Sequence, residues 1–137
     1  MTFPARPDSP LRDQLNAVHA LLLRIHKSLV DLERFRFEQT VGPVGTPLEF
    51  LDRLLNDPTF AWLRPLSELI VQIDEAASAR TGVDRNHAAA LLAQTRHLLT
   101  PSDDAAHPFH PRYLQALQDS PDLTAAHADF KRALPPV

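Results

Sequence analysis

The amino-acid sequence predicts an all-α fold, an antiparallel bundle of four main helices with one or two short extra helices. The 137 residues include 22 Leu and 18 Ala but only 10 Val and Ile together, and the first two favour helices whereas β-branched residues favour strands. The chain also has 13 Pro and only 3 Gly. The length suits one domain, which we place at residues 10–134, between a flexible Pro-bearing tail at 1–9 and a C-terminal tail at 135–137.

Four prolines mark helix starts. Each directly follows a residue whose side-chain oxygen can accept a free N–H at the start of a helix, and proline at the first helical position has no N–H to satisfy. Thr46 and Glu49 also fit a capping box, in which Glu49 would accept the Thr46 N–H. The four pairs are Ser9-Pro10, Thr46-Pro47, Asp57-Pro58 and Ser120-Pro121.

The first half of the chain has helical periodicity. Apolar residues recur in steps of three and four from Leu11 to Leu32, which predicts a helix from residue 11 to about 39 that ends at the two glycines of 41–45. A short helix over 47–55 follows, with leucines at positions 48, 51, 54 and 55. Pro65 interrupts the next pattern, since a proline inside a helix removes a hydrogen bond and clashes with the preceding turn. We therefore expect a kinked or broken helix there.

The second half of the chain also contains signals for the ends and starts of helices. In residues 81–84, the glycine predicts the end of one helix and Asp84 predicts the N-cap of the next. They precede a predicted helix at 85–99, a loop at 100–110, a short helix at 111–118 and a last helix at 121–134. The connections are short enough for neighbouring helices to run mostly antiparallel.

Composition excludes several kinds of function. Without Cys, disulfides and thiolate metal sites are impossible. The longest purely apolar run, residues 88–93, is far shorter than a membrane span, and the N-terminus lacks the apolar core of a secretory signal, so we expect a cytoplasmic protein without a membrane partner. Twelve Arg and two Lys are scattered among 17 acidic residues and form no basic run, which argues against nucleic acid as a partner.

Seven histidines raise the question of a metal. Neither Glu-x-x-His nor His-Glu-x-x-His occurs in the sequence, so the motifs of di-iron bundles and of zincins are missing, and we expect no cofactor. One alternative stays open. His19, His26 and Glu33 are seven residues apart on one stripe, with side chains about 10 Å apart, too far for both histidines to bind one ion. His87 or His97 from another helix could join either of them.

Two segments are candidate contact surfaces. The only Trp, Trp62, stands near Phe60, Arg64 and Glu68, and aromatic residues beside an Arg are typical of interface hot spots. The same aromatic residues could instead fill the kink at Pro65.

The second segment runs from His107 through Phe109 to His110 between prolines. It could be a recognition loop, or Phe109 could close the end of the bundle. In the first helix, Leu21, Leu22 and Leu23 are consecutive, which widens the apolar arc beyond one seam. That extra width indicates either several neighbouring helices or a dimer surface.

No enzymatic motif stands out. The sequence contains no Gly-x-Ser-x-Gly elbow and no phosphate-binding glycine loop. A carboxylate such as Asp74 or Glu75 could act only if the fold gathered further polar groups around it. We therefore expect a protein that is not an enzyme.

Residues 42–47 and 60–74, the latter reading FAWLRPLSELIVQID, resemble small bacterial all-helical proteins to which no activity is attached. The overall pattern also resembles ferritin-like, hemerythrin-like and DinB-type bundles in shape, although their metal-ligand spacings are missing. The resemblance implies a fold and no catalytic residue. We therefore expect an interaction or regulatory module that binds a protein partner or forms a homodimer. The alternative is a bundle that binds a metal or small ligand through histidines.

Overall fold

The computed structural model describes residues 9–134, and every regular element in that range is helical. This confirms the predicted all-α class, whereas the antiparallel order of four main helices stays a prediction. Apart from Ser9, the expected tails lie outside the described residues. The elements are α1 (Ser9–Thr40), α2 (Pro47–Asn56), a 3₁₀ helix (Pro58–Leu63), α3 (Arg64–Ala77), α4 (Arg85–Leu98), α5 (His110–Asp119) and α6 (Pro121–Ala133).

Helix α1 is the centre of the fold. It packs along α3 and α6 and also touches α4, while α3 packs on α4 and α5 packs on α6. The inner side of α1 is fully buried, as the apolar spacing predicts, because steps of three and four place these residues on one face. Its fully buried residues are Leu15, Val18, Leu22, Ile25 and Leu29.

Pro65 lies just after the point where a 3₁₀ helix changes into an α-helix. The 3₁₀ helix ends at Leu63 and α3 begins at Arg64, so Pro65 is the second residue of α3. An N–H at that position has no partner inside the helix, and proline therefore costs nothing there. Of the two outcomes left open by the sequence, the structure shows the broken helix.

The caps predicted at Thr46, Asp57 and Ser120 form, with one difference, whereas the one predicted at Ser9 lies outside the described side chains. Thr46 Oγ1 accepts the Glu49 N–H at 3.2 Å, and Ser120 Oγ accepts the Leu123 N–H at 3.2 Å. Asp57 Oδ1 accepts the Thr59 N–H at 2.9 Å and so starts the 3₁₀ helix. The Glu49 carboxylate, however, accepts the Thr46 hydroxyl at 3.2 Å rather than the Thr46 N–H of a capping box.

Asp84 makes the most extensive of these caps and offers a test of helix starts. Its Oδ1 accepts the N–H groups of Asn86 at 2.9 Å and of His87 at 3.2 Å. We expect Asp84→Ala to lower the free energy of unfolding by about 1 kcal/mol, measured by urea denaturation. As a control, Asp103→Ala in the exposed loop after α4 should change it by less than about 0.5 kcal/mol. Equal effects of the two substitutions would contradict the cap.

Candidate functional site

The aromatic residues of the first predicted contact surface lie in the interior. Phe60 exposes 1% of its surface and Trp62 exposes 7%, whereas Arg64 and Glu68 are exposed. Phe60 and Trp62 belong to two different apolar clusters. A 3₁₀ helix has three residues per turn, so residues two apart in this segment point in clearly different directions. Of the two alternatives for this segment, a contact surface or core packing, Phe60 and Trp62 adopt core packing.

Phe60 packs against both α1 and α2. Its ring centroid is 5.9 Å from that of Phe37 at the end of α1 and 6.0 Å from that of Phe50 on α2. With Val44, these three rings form a small apolar cluster, and Leu54 packs against it. One face of α2 is therefore already occupied by the protein's own core.

Another face of α2 is apolar and exposed. Leu48, Leu51 and Leu55 expose 76%, 50% and 62% of their surface, and their spacing of three and four places them on one stripe. We call these three residues the α2 leucine face. Single exposed apolar residues are ordinary, but a contiguous group marks a contact site. Helix α2 packs chiefly against the 3₁₀ helix, and these three side chains keep half or more of their surface exposed.

A small groove opens beside the α2 leucine face. It has a volume of about 180 Å³, and Leu51, Leu55, Arg64 and His26 are among its lining residues. His26 Nε2 lies 3.0 Å from Ser67 Oγ, and this bond joins α1 to α3. Burial lowers the pKa of His26, because a charged imidazole is poorly solvated there.

The charges of α2 are unevenly distributed. Glu49 lies in its first turn, Asp52 lies just past its midpoint, and Arg53 lies in its last turn. The Arg53 guanidinium lies 4.9 Å from the Phe37 ring centroid and 3.9 Å from Asp57. Hydrogen bonds from Thr59 lower the pKa of Asp57, and the charge of Arg53 adds to this effect. The first turn of α2 is thus acidic, whereas at its end Arg53 lies beside Asp52 and Asp57.

Three histidines gather where α4 ends and α5 begins. His97, His107 and His110 each place one possible ligand atom within 4.8 Å of the others, and we call them the histidine cluster. The rings of His107 and His110 are stacked, with centroids 3.7 Å apart and planes at 9°. The His97 ring centroid lies 5.2 Å from that of His110. His97 is exposed, His107 is half-buried and His110 is buried.

Backbone hydrogen bonds orient two of these rings. His107 Nδ1 accepts the N–H groups of Phe109 and His110, both at 3.1 Å, so neutral His107 carries its proton on Nε2. His110 Nε2 donates to the His97 carbonyl oxygen at 2.9 Å, which leaves the His110 Nδ1 lone pair free. The pKa of His107 is lowered by burial and then by the neighbouring His110 and His97, while Asp104 acts in the opposite sense.

Phe109 takes the structural role that the sequence left open for it. It is fully buried, and its ring centroid lies 5.4 Å from that of Trp62 and 5.3 Å from that of Tyr113. It thus anchors the loop between α4 and α5 in the main core. The two histidines beside it are held close to the surface by this anchor.

The metal ligands that the sequence suggested are not brought together. His26 bonds to Ser67, and His87 is exposed at the start of α4, while Glu33 pairs with Arg36 at 2.9 Å. Neither His19, His26 nor His87 joins the one group of potential metal-binding side chains found in residues 9–134, and only His97 of the four does. No local spacing indicated that group, because a loop separates His97 from His107 and His110.

Comparison of the chain with known protein families, curated proteins and solved structures found no match. In the range 9–134, no helix has the length and apolar character needed to cross a membrane. What the protein does is therefore inferred from its own surfaces.

Proposed function

We propose that this protein is a non-enzymatic interaction module that self-associates through the α2 leucine face. The observation that supports this most directly is the exposure of three leucines along one side of α2, while Phe50 of the same helix already packs on Phe60. Burial of apolar surface contributes about 25 cal/mol per Å². A partner that covers these side chains therefore gains free energy that the isolated chain does not.

A second copy of the chain suits this face because the face is complementary to itself. In a two-fold dimer the same patch meets its own copy. If two α2 helices pair antiparallel, the leucine at one end of the face meets the leucine at the other end of the partner's face. Glu49, in the first turn of one helix, then lies at the same end as the last turn of the other, which carries Arg53. Parallel pairing would instead place Glu49 beside its own copy.

The interface is small, and we expect weak association. A helix of 10 residues is only about 15 Å long, whereas a stable dimer buries about 800 Å² on each partner. The neighbouring groove at His26 extends the apolar area only modestly. A dissociation constant on the order of 10 μM, equivalent to about 7 kcal/mol, is consistent with this size.

Sedimentation velocity over a range of concentrations tests the dimer. The wild-type chain, with a monomer mass of 15.3 kDa, should shift toward twice that mass as its concentration rises to several hundred micromolar. Leu51→Lys places a charge in the middle of the face and should keep the chain monomeric. Because Leu51 is half exposed, this substitution leaves the core intact.

Phe35→Lys is the matched control. Phe35 exposes 59% of its surface, and its position nine residues after His26 places it on the opposite side of α1 from the groove. This variant should associate as the wild type does. A wild-type chain that stays monomeric at every concentration, or equal association of Leu51→Lys and wild type, would overturn the proposal.

A further inference from the structure

We infer that the histidine cluster binds one divalent first-row transition metal ion, for which Zn²⁺ is a suitable probe. The inference is independent of self-association, since the cluster lies where α4 ends and α5 begins and not on α2. The three imidazoles each place a possible ligand atom within 4.8 Å of the other two. In a tetrahedral zinc site with Zn–N distances of about 2.0–2.1 Å, ligand nitrogens lie about 3.3 Å apart. Modest side-chain rotation closes that difference.

His110 is already oriented as a metal ligand. Metal-binding histidines usually donate their second ring N–H to a backbone carbonyl or a carboxylate, which fixes the tautomer and makes the other nitrogen more basic. The bond from His110 Nε2 to the His97 carbonyl, 2.9 Å long, supplies that arrangement. It leaves Nδ1 as the free ligand atom. Because His110 is buried, its ring is held in this position.

His107 is the ligand that must move. The lone pairs of two stacked rings lie in parallel planes and cannot both point at one ion, so one ring has to rotate. His110 is held by its carbonyl bond, whereas His107 belongs to the loop before α5. In binding the ion, His107 gives up the hydrogen bonds that it accepts from the N–H groups of Phe109 and His110. Metal binding is therefore coupled to these backbone hydrogen bonds at the start of α5.

The surroundings allow a cation to enter and remain. His97 is exposed, so the ion reaches the cluster from solvent. The C-terminal end of α4 at His97 favours positive charge, whereas the N-terminal end of α5 at His110 opposes it. These two effects act against each other, and the imidazole nitrogens together with the nearby charge of Asp104 supply the affinity. Three protein ligands leave a fourth position for water, as in open zinc sites.

Isothermal titration of the untagged protein with Zn²⁺ tests the site. We expect one ion per chain with a dissociation constant in the micromolar range or below. His97→Gln should weaken binding at least tenfold, because it removes the exposed ligand without disturbing the core. His87→Gln on the same helix is the matched control, since His87 is also exposed but lies outside the cluster, and it should bind Zn²⁺ as the wild type does.

Two further measurements identify the geometry. Bound Co²⁺ should show the intense visible absorption of a tetrahedral site, and Zn²⁺ should shift the amide resonances of Phe109 and His110 as their shared acceptor is withdrawn. His107→Asn keeps an oxygen that can accept those N–H groups but removes the ligand, so it should stay folded and bind at least tenfold more weakly. Absence of stoichiometric Zn²⁺ binding by the wild type, or equal affinities of wild type and His97→Gln, would overturn the inference.

Discussion

Replacing Phe109 by Ala is expected to lower the free energy of unfolding by about 3–5 kcal/mol, the usual cost of removing a buried Phe side chain. The ring is fully buried and packs against Trp62 and Tyr113, with centroids 5.4 Å and 5.3 Å away. Its loss leaves a cavity where the loop, α5 and the 3₁₀ helix meet. Urea denaturation followed by circular dichroism gives the change in free energy. The fluorescence of Trp62, the only Trp, reports on the cavity directly.

Phe35→Ala provides the comparison for Phe109→Ala. The substitution is chemically identical, but Phe35 exposes 59% of its surface on α1. Its removal should change the free energy of unfolding by no more than about 0.5 kcal/mol. If both variants lost the same stability, Phe109 would not be packed in the core, and the loop that carries His107 and His110 would lack its anchor.

Stability is expected to fall as the pH drops from about 7.5 to 5.5, the range in which histidines titrate. Burial lowers the pKa of His26 and of His127, and for His127 the charge of Lys131 adds to the effect. The unfolded chain, with histidine pKa values near 6.5, then binds protons at a pH where the folded chain does not. Acid therefore favours unfolding, by at most about 1.4 kcal/mol per pH unit for each histidine.

In the folded protein, each of these histidines also makes a hydrogen bond through a ring nitrogen. His127 Nδ1 lies 2.7 Å from the hydroxyl of Tyr113, whose own pKa is raised by burial. His26 Nε2 contacts Ser67. Protonation of these rings adds charge at sites that solvate it poorly. Stability above pH 7.5 should be constant with respect to these two groups, because both are then neutral in the folded and unfolded chains.

Urea denaturation at several pH values measures this dependence. His26→Gln and His127→Gln should each make the decline between pH 7.5 and 5.5 less steep, and the double variant should be the least sensitive. His107, whose pKa is also lowered, should contribute to the slope that remains. Carboxylates with lowered pKa values, such as Asp57 and Asp129, titrate at lower pH and do not contribute in this window. Constant or rising wild-type stability toward pH 5.5 would contradict the prediction.

Local features of the fold were predictable because they depend on residues close together in the sequence. A buried helix face follows from spacing, and Leu15, Leu22 and Leu29 are buried as their spacing predicts. Caps depend on one side chain and the N–H groups two or three residues later, so Thr46 and Ser120 were identified before the structure was known. Observed helix ends differ from the predicted ones by one or two residues, as fraying ends do.

The candidate sites were less predictable because they depend on contacts between distant segments. Aromatic residues such as Phe60 and Trp62 are typical of contact surfaces and of cores alike. Only their contacts with Phe37 and Phe109 place them in the core. The leucines of α2 share one broad side of the helix, so periodicity could not tell which of them the rest of the protein covers. The histidine cluster joins His97 to two residues beyond a loop, and no spacing rule relates them.

By itself, the sequence determined the helical class, the starts of most helices and the buried face of α1. Each of these follows from backbone hydrogen bonding and from side-chain spacing over a few residues. Only the tertiary structure decided that the aromatic residues near Pro65 are buried, that the α2 leucine face is exposed and that three histidines converge beside α5. The physical reason is that burial and convergence are properties of packed segments: a side chain is buried only when another part of the chain lies over it.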